Sequence, residues 1–146
     1  MKIFLAQQNY HIGNFEYNTN KMKEAIRLAR EDGAHLVVFS ELSVCGYPPR
    51  DFLYFNDFIN ACYASIDEIC KEANGIAVLI GAPHRNPVLE GKNLFNAAYF
   101  LADGEIKQVM VNGVTADSVQ GNFGEWEATL KSLSADNSVT AFGTDA

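Results

Sequence analysis

At 146 residues with 48% hydrophobic side chains, the chain has the size and composition of one globular domain with a buried core, which excludes a disordered linker. Eighteen acidic against eleven basic residues give a formal charge of −7 and exclude a broad phosphate-binding surface, so no nucleic-acid partner is expected. The N-terminus Met1-Lys2-Ile3-Phe4-Leu5-Ala6 turns polar at Gln7-Gln8-Asn9, a pattern of neither a secretory leader nor a membrane span, and a soluble cytoplasmic chain without a membrane partner is expected.

Met1 to Gln8 is a short apolar run with a polar end, the pattern of a buried strand whose C-terminal end opens toward a site. Asn14 to Asn20 is rich in turn and cap residues. After it Met22, Ala25, Ile26 and Ala29 recur at helical spacing, which predicts an amphipathic helix closed by Gly33. His35 to Ser40, with Leu36, Val37, Val38 and Phe39 contiguous, predicts a central strand covered on both faces. Pro48 and Pro49 impose an extended loop. From about Asn56 the positions Phe58, Cys62, Ile66, Ile69 and Cys70 predict a second helix, ending at Asn74-Gly75.

Ile76 to Ile80, ended by Gly81-Ala82-Pro83, and Asn96 to Leu101 read as the third and fourth strands, with the polar stretch Asn86 to Lys92 between them and an Asp103-Gly104 turn after them. This order is α/β, with helices covering sheet faces. The remainder changes character. It offers a strand at Val109 to Val111, a helical pattern through Trp126, Leu130 and Leu133, and a β-like Val139 to Phe142. Residues 108–146 are therefore expected to pack on the same domain as residues 1–107.

Three cysteines, Cys45, Cys62 and Cys70, include no C-x-x-C pair, and reduced thiols are the simplest account of an odd number. Cys62 and Cys70 fall on the apolar stripe of the second helix and read as core thiols. His11, His35 and His84 lack ligand-like spacing, so no metal site is expected. Glu41 stands out, because a carboxylate at the end of a buried strand loses water and needs a compensating use. It is a candidate general base, set against the plain alternative that it turns into solvent where the strand ends.

Glu41-Leu42 followed by Cys45-Gly46-Tyr47-Pro48-Pro49, with Asp51 and Leu53, resembles the first catalytic motif of the nitrilase superfamily of carbon-nitrogen hydrolases, in the form used by the glutaminase domain of glutamine-dependent NAD synthetases. Ala6-Gln7, Asn18, Gly81-Ala82-Pro83, Asn96-Ala97-Ala98 and Asp103-Gly104 follow in the matching order, and the resemblance extends to about Lys107. It implies the N-terminal half of an αββα sandwich, with a mixed sheet and helices on one face. It also implies glutamine as substrate, Glu41 as general base toward a cysteine thiol, and Tyr47, Pro48 and Pro49 at the mouth of the pocket.

The family's oxyanion lysine lies in a Lys-x-x-Leu-Pro motif and its nucleophile in a Cys-Glu-Asp-type motif, and neither occurs here. Lys107 is followed by Gln108-Val109-Met110-Val111, and Cys45 lies on a loop that the family does not use for the nucleophile. No nucleophile is identified. The resemblance implies no cofactor for this segment, ATP and deamido-NAD belonging to the synthetase part of such proteins. Two readings stand: a segment of an amidase domain that supplies ammonia for ATP-dependent NAD synthesis, inactive alone, or a non-catalytic nitrilase-like module, including a truncated or recombined chain. Half a sandwich leaves an apolar sheet face, so a homo-oligomer is expected.

Overall fold

The computed structural model describes residues 1–87, 91–111, 114–115 and 138–143. Seven strands among the described residues form one mixed sheet: β1 (Lys2–Gln7), β2 (Leu36–Phe39), β3 (Ala77–Arg85), β4 (Leu94–Ala102), β5 (Glu105–Val111), β6 (Val114–Thr115) and β7 (Ser138–Gly143). Their spatial order is β6-β5-β4-β3-β2-β1-β7. The half from β7 to β3 is parallel and the half from β3 to β6 antiparallel. Two helices, α1 (Phe15–Glu31) and α2 (Asn56–Cys70), make the crossovers that parallel neighbours require.

The continuous apolar runs of the strands have a direct cause, which is that both sheet faces carry apolar side chains. Phe4, Val37, Phe39, Val78, Ile80, Ala97 and Tyr99 join Met22, Ile26 and Ala29 of α1 and Ile59, Cys62, Ile66 and Ile69 of α2 in the main core. The alternate positions Leu36, Leu79, Ala98 and Met110, with Ile3, Val38 and Phe100, form a smaller cluster on the other face. Both helices therefore pack on one face, and the sandwich-half architecture expected from the sequence is the one found. At the C-terminal end of α1, Arg30 donates to the carbonyls of Glu72 and Asn74, tying that helix to the turn that leads into β3.

Several boundaries differ from the sequence expectation. Helix α1 starts at Phe15, inside the stretch that looked like a turn, because the Asn14 side chain caps the Tyr17 amide at 3.2 Å. Strand β3 does not stop at Gly81-Ala82-Pro83. It pairs with β2 only over Ala77 to Leu79 and with β4 from Val78 to Arg85, so Pro83 lies where the strand has a single neighbour and the missing amide hydrogen is tolerated. The loop after Pro49 contains a 3-10 helix, Arg50–Tyr54, that was not anticipated. The helical pattern around Trp126, Leu130 and Leu133 lies outside the described residues.

The main core is expected to dominate stability. Ile66 is 1% exposed and Leu28 44%, so Ile66→Ala should lower the unfolding free energy by about 2–5 kcal/mol and Leu28→Ala by less than about 0.5 kcal/mol. Urea unfolding of the two variants checks this, and equal losses would show that α2 does not carry the core.

Candidate functional site

The parallel strands β1 and β2 end side by side, and their C-terminal loops must satisfy backbone groups that no hairpin partner can reach. One buried side chain does much of this. Asn18, fully buried in the second turn of α1, accepts from the His11 amide at 2.9 Å and donates to the His11 carbonyl at 2.8 Å and the Val44 carbonyl at 3.2 Å. It holds the loop after β1 and the loop after β2 to the same helix. A further bond, from the Gly13 amide to the Cys45 carbonyl at 3.0 Å, joins the two loops directly.

Two glycines allow the approach to be this close. A Cβ on Gly46, whose φ is +80°, would lie 2.7 Å from the Ile12 nitrogen. A Cβ on Gly81 of β3 would lie 2.6 Å from the Leu42 nitrogen and 2.9 Å from the Glu41 Cα. The turn that carries Glu41 is therefore pressed onto the backbone of β3, and the Val44 amide donates to the Gly81 carbonyl at 3.4 Å. Leu42 adopts φ 49°, a left-handed conformation that costs about 1–3 kcal/mol for a non-glycine residue, and its buried side chain anchors the turn in the main core. Ser43, also buried, has a hydroxyl without a hydrogen-bond partner among the described residues.

Glu41 lies two residues beyond the end of β2, as expected, but its side chain is exposed, so the desolvation argument drawn from its place after an apolar strand does not operate. What fixes it is Asn96 of β4, whose Nδ2 donates to Glu41 Oε1. The resulting group is a carboxylate on an anchored turn, with one oxygen occupied by an amide and Oε2 without a partner among the described residues. It can accept a proton at that second oxygen. Asn96, Asn18 and Gly81 all fall within the resembling segments, yet nothing in the sequence by itself assigns them these tasks.

No thiol is presented to this carboxylate. Cys45 is fully buried, with its sulfur 3.6 Å from the Leu42 and Gly46 carbonyls. A hydrogen bond from Cys62 lowers the pKa of Cys45, and the same bond, with burial, pushes Cys62 far above the ordinary thiol range. Burial likewise raises Cys70. Lys107 is held by Glu105 at 2.8 Å and Asp103 at 3.4 Å beside the β4–β5 turn, toward the opposite end of β4 from Asn96. Tyr47 and Pro48 are exposed, joined by a cis peptide bond, and Pro49 is buried. Among the described residues, no group of three or more His, Cys, Asp or Glu side chains could hold a metal, and no helix is long and apolar enough to cross a membrane.

Residues 2–114 match the family model described as carbon-nitrogen hydrolase. The chain is 36% identical over 110 residues to a glutamine-dependent NAD(+) synthetase of Synechocystis sp., covering 73% of this chain and 20% of that one. It is 32% identical over 109 residues to the synthetase of the same description from Xylella fastidiosa, covering 74% and 19%. The solved glutamine-dependent NAD+ synthetase of Acinetobacter baumannii, determined with ADP, superposes with a TM-score of 0.65 at 29% identity, over 88% of this chain and 25% of that one. The chain thus spans about a fifth of the length of the curated relatives it matches.

The clamp should be measurable. Asn18→Ala removes the partners of the His11 amide and the Val44 carbonyl, the His11 carbonyl keeping its bond from the Asn14 amide, and is expected to cost roughly 2–4 kcal/mol, whereas Asn96→Ala, whose partner is exposed, should cost less than about 1 kcal/mol. Denaturant unfolding of both variants checks the contrast. Indistinguishable losses would mean that Asn18 does not hold the loops.

Proposed function

The chain belongs to the carbon-nitrogen hydrolase family, and on that footing we propose that it is part of a glutamine-hydrolysing amidase domain in which Glu41 is the general base. The observation that supports this reading is the hold on Glu41: the carboxylate stands on a turn fixed by buried neighbours, with one oxygen bonded to Asn96. A cysteine is mostly thiol at neutral pH, so attack on a side-chain amide needs a proton acceptor at this kind of position and a donor or cation aimed at the developing oxyanion. Glu41 would take the thiol proton and return it to the leaving ammonia. The similarity to glutamine-dependent NAD synthetases supports glutamine as substrate and ammonia supply to ATP-dependent amidation of deaminated NAD as the wider role. ATP and deamido-NAD are assigned to the synthetase part of such proteins. Tyr47, Pro48 and Pro49 are assigned to the pocket mouth, Tyr47 being 65% exposed.

This chain holds the base half of that chemistry. A general base contributes about 10²–10⁴-fold and an oxyanion donor a further 10²–10³-fold or so, and neither acts without a nucleophile. The burial of all three cysteines favours a second reading, a nitrilase-like binding module that takes glutamine without turning it over. Association with a second copy of the chain belongs to the same proposal and rests on the need of half a sandwich to cover its second sheet face; Leu36, Leu79, Ala98 and Met110 on that face are buried within the single chain.

Ammonia release from glutamine by the purified 146-residue chain is expected to stay at background, unchanged in Glu41→Gln. Turnover abolished by Cys45→Ala would overturn this, because the loop thiol would then be the nucleophile. Light scattering is expected to give a dimer or larger species, and a stable monomer would remove the self-association claim.

A further inference from the structure

A second concave site lies apart from Glu41, between the 3-10 helix, the start of α2 and the β3–β4 hairpin. It encloses about 740 Å³, within the range of small-molecule sites. Its chemistry runs against that of the whole chain. In a protein with eighteen acidic residues, Lys2, Lys23, Arg27, Lys71 and Lys107 are each paired with carboxylates. Arg50 and Arg85, which both line this cavity, have no carboxylate partner among the described residues.

Arg85 is also held in place. Its guanidinium lies 5.3 Å from the centre of the Tyr63 ring and donates to Asn60 Oδ1 at 2.8 Å and to the Asn56 carbonyl at 3.4 Å, while its backbone amide donates to the Tyr63 hydroxyl at 2.8 Å. These partners are neutral, so they orient the fork and, among the described residues, leave its charge without a carboxylate partner. The walls are not polar: Leu53, Ile59 and Leu94 line the cavity, and Tyr54, 87% exposed, stands at it as a large aromatic side chain. A planar cation held against a ring, a second guanidinium and an apolar wall together fit an oxyanion attached to a flat or aliphatic body.

We propose that this cavity binds a small organic anion, with its carboxylate or phosphate head between Arg50 and Arg85 and its apolar body against Leu53, Ile59 and Tyr54. The site is independent of the amidase reading, since Glu41 does not line it.

The test is calorimetric titration of the whole chain with phenyl phosphate, benzoate and inorganic phosphate. Saturable binding of phenyl phosphate or benzoate is expected, and the tighter of the two identifies the head group. Inorganic phosphate should bind roughly tenfold or more weakly because it lacks the apolar body. Arg85→Gln should weaken binding about tenfold or more, and Glu41→Gln should leave it unchanged. Arg50→Gln, an exposed change outside the Tyr63 network, should give a similar loss and stands in if Arg85→Gln does not fold. Absence of saturable binding, binding indifferent to both arginines, or inorganic phosphate binding as tightly as phenyl phosphate would each overturn the proposal.

Discussion

The buried carboxamide of Asn18 is the interaction on which the site depends. A parallel sheet delivers its strand ends together but offers their loops no hairpin partners, so the loops' amides and carbonyls must be satisfied by something else. An asparagine side chain carries both donors and an acceptor, and at Asn18 all three bonds go to backbone groups of the two loops. An apolar residue of similar size would fill the space and leave the His11 amide and the Val44 carbonyl without these bonds. The polar interruption of the α1 apolar stripe at this position is therefore a structural requirement of the loops, not a defect of the helix.

From that hold the placement of Glu41 follows by contact. With Val44 and Cys45 fixed against α1 and the loop after β1, the short turn from Ser40 to Gly46 can close only if β3 presents bare backbone beneath it, which Gly81 does. The left-handed Leu42 and the Ser43 hydroxyl, which has no hydrogen-bond partner among the described residues, are the costs of that closure. They fall on the residues that follow Glu41 directly, where strain is tolerated because a buried side chain on either side, Phe39 and Val44, holds the segment in the main core.

The sheet and both helices were legible because their apolar positions repeat, with period near 3.6 through Met22, Ile26 and Ala29 and as a continuous run through Leu36 to Phe39. The start of α1 was not, since Asn14 to Asn20 is polar for two different reasons: Asn14 caps, and Asn18 serves the loops. The beginning of β5 was missed because Glu105 to Gln108 is exposed, so it carries no burial signal. The 3-10 helix Arg50–Tyr54 has no buried residue and therefore no apolar period to read. For the site, the residue type and position of Glu41 were legible but its environment was not. Where a strand ends in sequence does not say whether the next carboxylate is covered, and Asn96 reaches it from 55 residues away.

The groups that hold Glu41 come from α1, β3 and β4, and every one of them lies within the residues that match the family model, 2–114. Glu41, the proposed base, is thus positioned by local packing alone: a helix asparagine, a strand glycine and a strand asparagine fix its turn without help from a nucleophile or an oxyanion donor. That separation has a physical basis. A carboxylate needs an anchored backbone and one hydrogen bond to be oriented, demands that a small set of neighbouring strands can meet. A reactive thiol needs in addition access to solvent and a positive environment, and the first is missing at Cys45, Cys62 and Cys70, which the same packing has drawn into the core.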